Sequence, residues 1–250
     1  MRAPPGDMLL EVRGLQIRYG AATAVRGVNL EVRRGELVAI IGNNGAGKTS
    51  ILRGISGLVR PSAGEVSFKG ILTERLPAHR KVGLGLVMIP EGRLIFADQT
   101  VEDNLILGAY CRWRSARGEV ANDFDRVFAL FPRLKERLHQ GAGTLSGGEQ
   151  QMLAIARGLL SNPDLLIIDE LSLGLAPKIV EQLMALLHDL NAKGLTILLV
   201  EQLASHALAI ANRAYVVSNG QIQMQGTAGE LAQSPEIMET FLGKKHRRIM

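Results

Sequence analysis

The chain has 250 residues, of which 46% are apolar, enough for one α/β domain with a sizeable core and a small insertion. Its 29 basic and 24 acidic residues leave a formal charge of +5, which fits a solvated mixed-charge surface rather than a dedicated nucleic-acid binder. The single cysteine, Cys111, excludes an internal disulfide and suits a reducing compartment. No apolar run follows Met1 to Gly6 as a secretory signal requires, and no stretch approaches the ~20 apolar residues of a spanning helix. A cytoplasmic protein is expected, held at any membrane it serves by another chain.

In chain order, Leu10-Glu11-Val12, Leu15-Gln16-Ile17-Arg18-Tyr19 and Val28-Asn29-Leu30-Glu31-Val32 alternate apolar and polar residues, as half-buried antiparallel strands do. Tyr19 closes one of these strands, where its ring could stack on a purine or simply pack. Arg33 to Glu36 reads as a turn into Leu37-Val38-Ala39-Ile40-Ile41, a continuous apolar run suited to a strand buried on both faces of a parallel sheet.

Gly42-Asn43-Asn44-Gly45-Ala46-Gly47-Lys48-Thr49 follows at once, and Ser50 to Ile55 can continue as a helix. Strand, glycine loop and helix together build a phosphate cradle. The glycines let successive backbone N–H groups converge, and the helix N-terminus adds its positive end. Lys48 would reach the β- and γ-phosphates of a nucleoside triphosphate, and the Thr49 hydroxyl would bind Mg²⁺.

Pro61 to Gly64 breaks the chain before a strand at Glu65 to Lys69, and the glycine-punctuated run Val82 to Pro90 reads as another strand. From Glu91 to about Leu160 the character is helical. Thr100 is a capping residue ahead of acidic first-turn residues. Asp123 to Leu138 carries Phe124, Val127, Phe128 and Phe131 at helical spacing, read as helical core. Leu145-Ser146-Gly147-Gly148-Glu149-Gln150-Gln151 then opens a helix from Met152 to Leu160, and Ser146, Gly147, Gly148 and Glu149 make a second anion-binding helix start. Two phosphate-binding elements for one nucleotide make sense if each serves the same ATP from opposite subunits, a geometry that the spacing permits.

The run Leu165-Leu166-Ile167-Ile168, a helix from Lys178 to Asn191 and the run Thr196 to Val200 alternate strand, helix, strand, which argues for a parallel sheet. Tyr215 to Met224 is a hairpin turned by Asn219-Gly220, and Ser234 to Leu242 a closing helix. Asp169 and Glu170 end the first of those strands. In a phosphate-loop protein the carboxylate there holds Mg²⁺, and a second beside the γ-phosphate can deprotonate an attacking water.

Gly42 to Thr49, Leu145 to Gln151 and Leu166 to Glu170, in this order, resemble the phosphate loop, signature motif and Walker B of an ATP-binding-cassette (ABC) ATPase. The resemblance covers nearly the whole chain. It implies an α/β fold: a RecA-like P-loop NTPase core with an antiparallel β subdomain over residues 1–90 and 161–250, and an inserted helical subdomain over 91–160. It also implies ATP and Mg²⁺ as ligands, with Gly42, Asn43, Asn44, Gly45, Ala46, Gly47, Lys48, Thr49 and Ser50 on the phosphates and Tyr19 on the adenine. In a head-to-tail dimer, homomeric or heteromeric, Ser146 to Glu149 would complete the partner's site. Glu91 to Ile95 takes the position of the loop that contacts membrane subunits.

Two positions depart from the general pattern: Glu91 stands where most members carry a glutamine, and Gln202 where most carry a switch histidine. Glu91 can still ligate Mg²⁺. Gln202 can still donate to the γ-phosphate but cannot become cationic, and charge-assisted bonds are roughly twice as strong as neutral ones, so modest intrinsic turnover is expected. His206 could stand in, one helical turn later.

Pro90-Glu91-Gly92-Arg93, Val200-Glu201-Gln202 and Ser172 to Pro177 together resemble the LivF-type ATPases of branched-chain amino acid importers. That branch implies a second ATPase, permease subunits, an external binding protein and a peripheral place on the cytoplasmic face of the cell membrane. Leu171, where proline is usual, and Leu203, where asparagine is usual, depart from it. Two other readings are a non-transport cassette ATPase acting on nucleic acid or ribosomes and an ATP-gated switch that hydrolyses weakly. The basic run Lys244 to Arg248 is read as a disordered tail or a contact for anionic lipid.

Overall fold

A computed structural model describes residues 7–112 and 117–240; the basic run Lys244 to Arg248 lies outside them. β1 (Met8–Tyr19) and β2 (Ala22–Arg33) form a long antiparallel hairpin. The sequence suggests two separate strands in place of β1. Instead the strand runs on through an irregular register between Val12 and Gln16, where Gly14 takes φ 60° and absorbs the bulge. β3 (Leu37–Ile41) is buried throughout and leads through the glycine loop into α1 (Lys48–Ser56). β4 (Ala63–Phe68) returns to pair with β1, and β5 (Ile71–Leu72) is its edge, giving a four-stranded sheet in the order β2-β1-β4-β5.

The run from Val82 to Pro90 is a strand only in its second half. Val82 and Gly83 finish α2 (Ala78–Gly83), and Gly85, at φ 96°, turns the chain before β6 (Leu86–Ile89). α3 (Val101–Ala109) starts with a capping box between Thr100 and Asp103. The aromatic stretch is two helices, α4 (Arg117–Leu130) and α5 (Pro132–Glu136), because Pro132 has no N–H to extend the first. Val127 and Phe131 are buried, while Phe124 and Phe128 pack half-buried with ring centroids 5.7 Å apart. α6 (Gly147–Leu160) follows.

β7 (Leu165–Asp169), α7 (Pro177–Ala192), β8 (Thr196–Glu201), α8 (Ala204–Ile210), β9 (Arg213–Ser218), β10 (Gln221–Thr227), α9 (Ala228–Gln233) and α10 (Pro235–Thr240) complete the described chain. α8 and α9 are short helices that the sequence pattern does not predict, and Leu242, the end of the predicted closing helix, lies outside the described residues. The second sheet has the order β10-β9-β3-β8-β7-β6, parallel from β9 to β6 with β10 antiparallel at the edge. Its central strands are apolar on both faces. Leu37, Ala39 and Ile41 join a core with α3, α6 and α7, whereas Val38 and Ile40 join a core with α1 and the antiparallel sheet. The phosphate loop is thereby set between two packed layers. No helix among the described residues is long and apolar enough to cross a membrane.

Candidate functional site

An open cleft of about 530 Å³ lies where β3, β6 and β7 end, at the carboxyl edge of the parallel sheet. Asn44, Gly45, Ala46, Gly47, Lys48, Thr49 and Ser50 form its floor, with Glu91 and Glu170 on its wall. The loop is held by contacts that only bare backbone permits. A Cβ on Gly42 would lie 2.3 Å from Val217 O, and Gly47 turns into α1 at φ 103° with Ala24 O 2.8 Å from where its Cβ would be. Ala46 N–H donates to Asn43 O (3.1 Å), and Ala46 O accepts from Gly220 N–H (2.8 Å). Gly47 caps α1 without a side chain, leaving the first-turn N–H groups to an anion.

Lys48, only 4% exposed, donates from Nζ to Gly42 O (2.9 Å) and Asn43 O (3.3 Å) and pairs with Glu170 Oε1 at 3.2 Å. Thr49 Oγ1 donates to Asp169 Oδ1 at 3.1 Å, and Asp169 Oδ2 is buried with no hydrogen-bond partner. Burial pushes the Asp169 carboxyl up to about 6; the charges of Glu170 and Glu91 add to this, and the Thr49 hydroxyl and Lys48 oppose it. A hydroxyl, a buried carboxylate with one oxygen unspent, and a second carboxylate nearby suit a hard divalent cation. Among the described residues no three His, Cys, Asp or Glu side chains gather into a metal cluster.

Other residues of the expected site do not line this cleft. Tyr19 is 43% exposed at the end of β1, and Gln202 is exposed just beyond β8; neither lines the cleft wall. Ser146 caps α6: its Oγ donates to Glu149 Oε2 (2.7 Å) and accepts from Glu149 N–H (3.4 Å). Ser146, Gly147, Gly148 and Glu149 do not line this chain's own cleft. His206 Nδ1 is buried without a partner among the described residues.

Thr23, Ala24 and Arg26 of β2, Leu173, and the hairpin tip Asn219-Gly220 also line the cleft, a placement that the sequence does not predict. The Asn-Gly turn was legible as a turn, but its docking on the phosphate loop was not. Glu201, part of the Val200-Glu201-Gln202 run, has a role that the sequence does not disclose. It ends a strand buried throughout, is itself wholly buried, and holds Ser172. Burial raises its carboxyl above the ordinary range, with Glu170 adding and the Ser172 hydrogen bonds opposing.

A glycine loop between a buried strand and a helix, with Asp169 and Glu170 across from it on a parallel sheet, defines a P-loop nucleotide-binding ATPase. The chain belongs to the ABC transporter family, whose domain model matches residues 25–172. It is 43% identical to the high-affinity branched-chain amino acid transport ATP-binding protein BraG of Pseudomonas aeruginosa, over 90% of this chain and 95% of that protein. It is 36% identical to the probable branched-chain amino acid transport ATP-binding protein LivF of Archaeoglobus fulgidus, over 86% of this chain and 91% of that protein. The ADP form of an ATP-binding cassette of an ABC transporter superposes with a TM-score of 0.83 at 25% identity, covering 95% of this chain and all of that one. A dimeric post-hydrolysis cassette bound to ADP and phosphate superposes at 0.75 with 26% identity, covering 88% and 99%. The chain is therefore an ABC ATPase that binds and hydrolyses nucleotide.

Proposed function

We propose that this ATPase powers an importer for branched-chain or other hydrophobic amino acids, with ATP and Mg²⁺ bound in the Lys48–Glu170 cleft. The observation that carries the chemistry is the convergence of Lys48, Thr49, Asp169 and Glu170 at one end of the sheet. The substrate class is carried by the transport names of the relatives. Lys48 and the N–H groups of Gly42 to Ser50 neutralise and orient the phosphates. Thr49, Asp169 and Glu91 would hold the Mg²⁺, whose charge would stabilise the phosphate oxygens. Glu170 takes the proton of the attacking water, a contribution of roughly 10²–10⁴-fold. Gln202 donates to the γ-phosphate, and Tyr19 stacks on the adenine.

Ser146 to Glu149 lie outside this chain's own cleft, which supports a head-to-tail dimer in which they complete the site of a second ATPase subunit. Residues 91–160 act in this reading as the helical subdomain that joins the dimer to the membrane. An apolar groove with Phe96, Leu107 and Tyr110 exposed at its rim and Arg157 in its wall supports docking of permease subunits beside Glu91 to Phe96. The chain then sits peripherally on the cytoplasmic face of the cell membrane, and an external binding protein meets the permease rather than this chain. No nucleic-acid partner is expected.

The test is to tag the chain, extract native membranes in mild detergent and identify what comes with it. Multi-spanning permeases together with a second cassette ATPase are expected, and leucine, isoleucine and valine uptake then checks the substrate. Recovery of only soluble partners or nucleic acid would contradict the transport reading while leaving the ATPase intact.

A further inference from the structure

The loop that follows Glu170 is tied to the end of β8 twice. Glu170 N–H donates to Val200 O at 3.0 Å. The next strand residue, Glu201, spends both carboxylate oxygens on Ser172: Oε1 accepts from Ser172 N–H at 3.0 Å and Oε2 from Ser172 Oγ at 2.6 Å. Glu201 is 0% exposed, and Leu171, between the two tethers, is also 0% exposed. A carboxylate taken wholly from water is costly unless its oxygens are satisfied. Here one residue of a turn satisfies both, so moving that turn strands a buried charge.

Glu170 stands at the start of this turn with φ 50°. A glutamate holds a left-handed backbone only where its surroundings over-determine it. The over-determination is visible: a backbone bond at Glu170 itself, a buried leucine after it, then the bidentate grip on Ser172. Glu201 also directly precedes Gln202, so the same grip fixes the strand end carrying Gln202 against the turn carrying Glu170.

We propose that Glu201 is the positioning residue for the catalytic base, holding the 170–172 turn through Ser172 and so setting how the Glu170 carboxylate meets water. This rests on Glu170 being the base. Glu201 itself touches neither nucleotide nor water in this role; its effect is geometric, and misplacements of about 1 Å at reacting groups cost on the order of 10²-fold.

The experiment measures ATP turnover and binding of a fluorescent ATP analogue by the purified full chain. The variants are Glu201→Ala, Glu201→Gln, Ser172→Ala, Glu170→Gln and the double Glu170→Gln/Glu201→Ala. Glu201→Ala should lower kcat by about 10–100-fold while analogue affinity stays within about threefold of wild type, a loss confined to the transition state. Glu201→Gln still accepts from Ser172 N–H and can donate to Ser172 Oγ, so it should recover most of the rate. Ser172→Ala loses only the hydroxyl half and should fall between.

In the Glu170→Gln background, Glu201→Ala should cost nothing further, since it acts through the group already removed. A folded Glu201→Ala with wild-type kcat, or an additive loss in the double variant, would overturn the proposal. If Glu201→Ala fails to fold, full-rate Ser172→Ala does the same. Glu170→Gln without turnover beside full-rate Glu201→Ala removes the tether alone. Wild-type turnover by Glu170→Gln removes the base and the tether with it.

Discussion

Lys81 and Lys48 are both buried lysines, and they separate stability from function at the scale of single residues. Lys81 is 0% exposed, its Nζ donates to Ile55 O in the last turn of α1 (2.6 Å), and burial lowers its pKa to about 8, with Glu74 opposing. A lysine with a depressed folded pKa binds its proton more weakly in the native chain than in the unfolded one. Between about 8 and the unfolded value of 10.5 the unfolded state holds more protons, so stability rises with pH across that window. Lys81→Met has no such proton to lose. Denaturant melts at pH 8 and pH 10 should show wild type gaining on Lys81→Met, by on the order of 1 kcal/mol; a constant difference would contradict the buried-charge account.

Lys48, in contrast, lies on the cleft floor against Glu170. Lys48→Ala should leave the melting temperature within a few degrees of wild type yet weaken ATP binding by roughly 10-fold or more, because a charged phosphate contact contributes about 1.5–3 kcal/mol. Titration with a fluorescent nucleotide measures it, and unchanged affinity would remove Lys48 from the site.

At the scale of elements, the β9–β10 hairpin acts as a brace. Gly220 N–H donates to Ala46 O, Gly220 O accepts from Arg26 N–H, and Gly220 takes φ 74° with Ala24 O 2.4 Å from the position of a Cβ. Gly220→Ala should therefore cost about 1–3 kcal/mol and weaken nucleotide binding, although residue 220 lies far in sequence from the phosphate loop. A thermal melt beside a nucleotide titration checks both. α6 gives the complementary case. Ser146→Ala removes an N-cap worth about 1 kcal/mol; it should leave ATP binding by one chain unchanged but depress turnover if, as proposed, Ser146 completes the site of a second subunit.

What could be read from sequence follows the range of the interactions. The phosphate loop, the β7 carboxylates and the cap at Thr100 depend on neighbours a few residues away, and all lie in the local structure expected, whereas the helix expected from Met152 starts at Gly147 with Ser146 as its cap. The join through β1, the split at Pro132 and the turn at Gly85 were misread because each turns on one residue within an otherwise convincing pattern. Glu201 on Ser172 and Gly220 on Ala46 span 29 and 174 positions, and no local pattern encodes such pairs.

At the scale of the whole molecule, two sheets and a helical layer bring the cleft and the α6 start to different parts of one chain. With hydrolysis blocked by Glu170→Gln, ATP should convert monomer to dimer, and Ser146→Ala in the same background should weaken that conversion. Sedimentation with and without ATP reads this directly; a monomer at saturating nucleotide would contradict the shared site. In the proposed cycle the dimer would close on ATP and reopen after hydrolysis, and a permease docked near Glu91 and Phe96 would feel that movement.

The most direct measurement is paired hydrolysis and binding by Glu170→Gln. ATP affinity close to wild type with turnover reduced by roughly 10²-fold or more is the result expected of a base beside the γ-phosphate. Wild-type turnover in that variant would contradict the account.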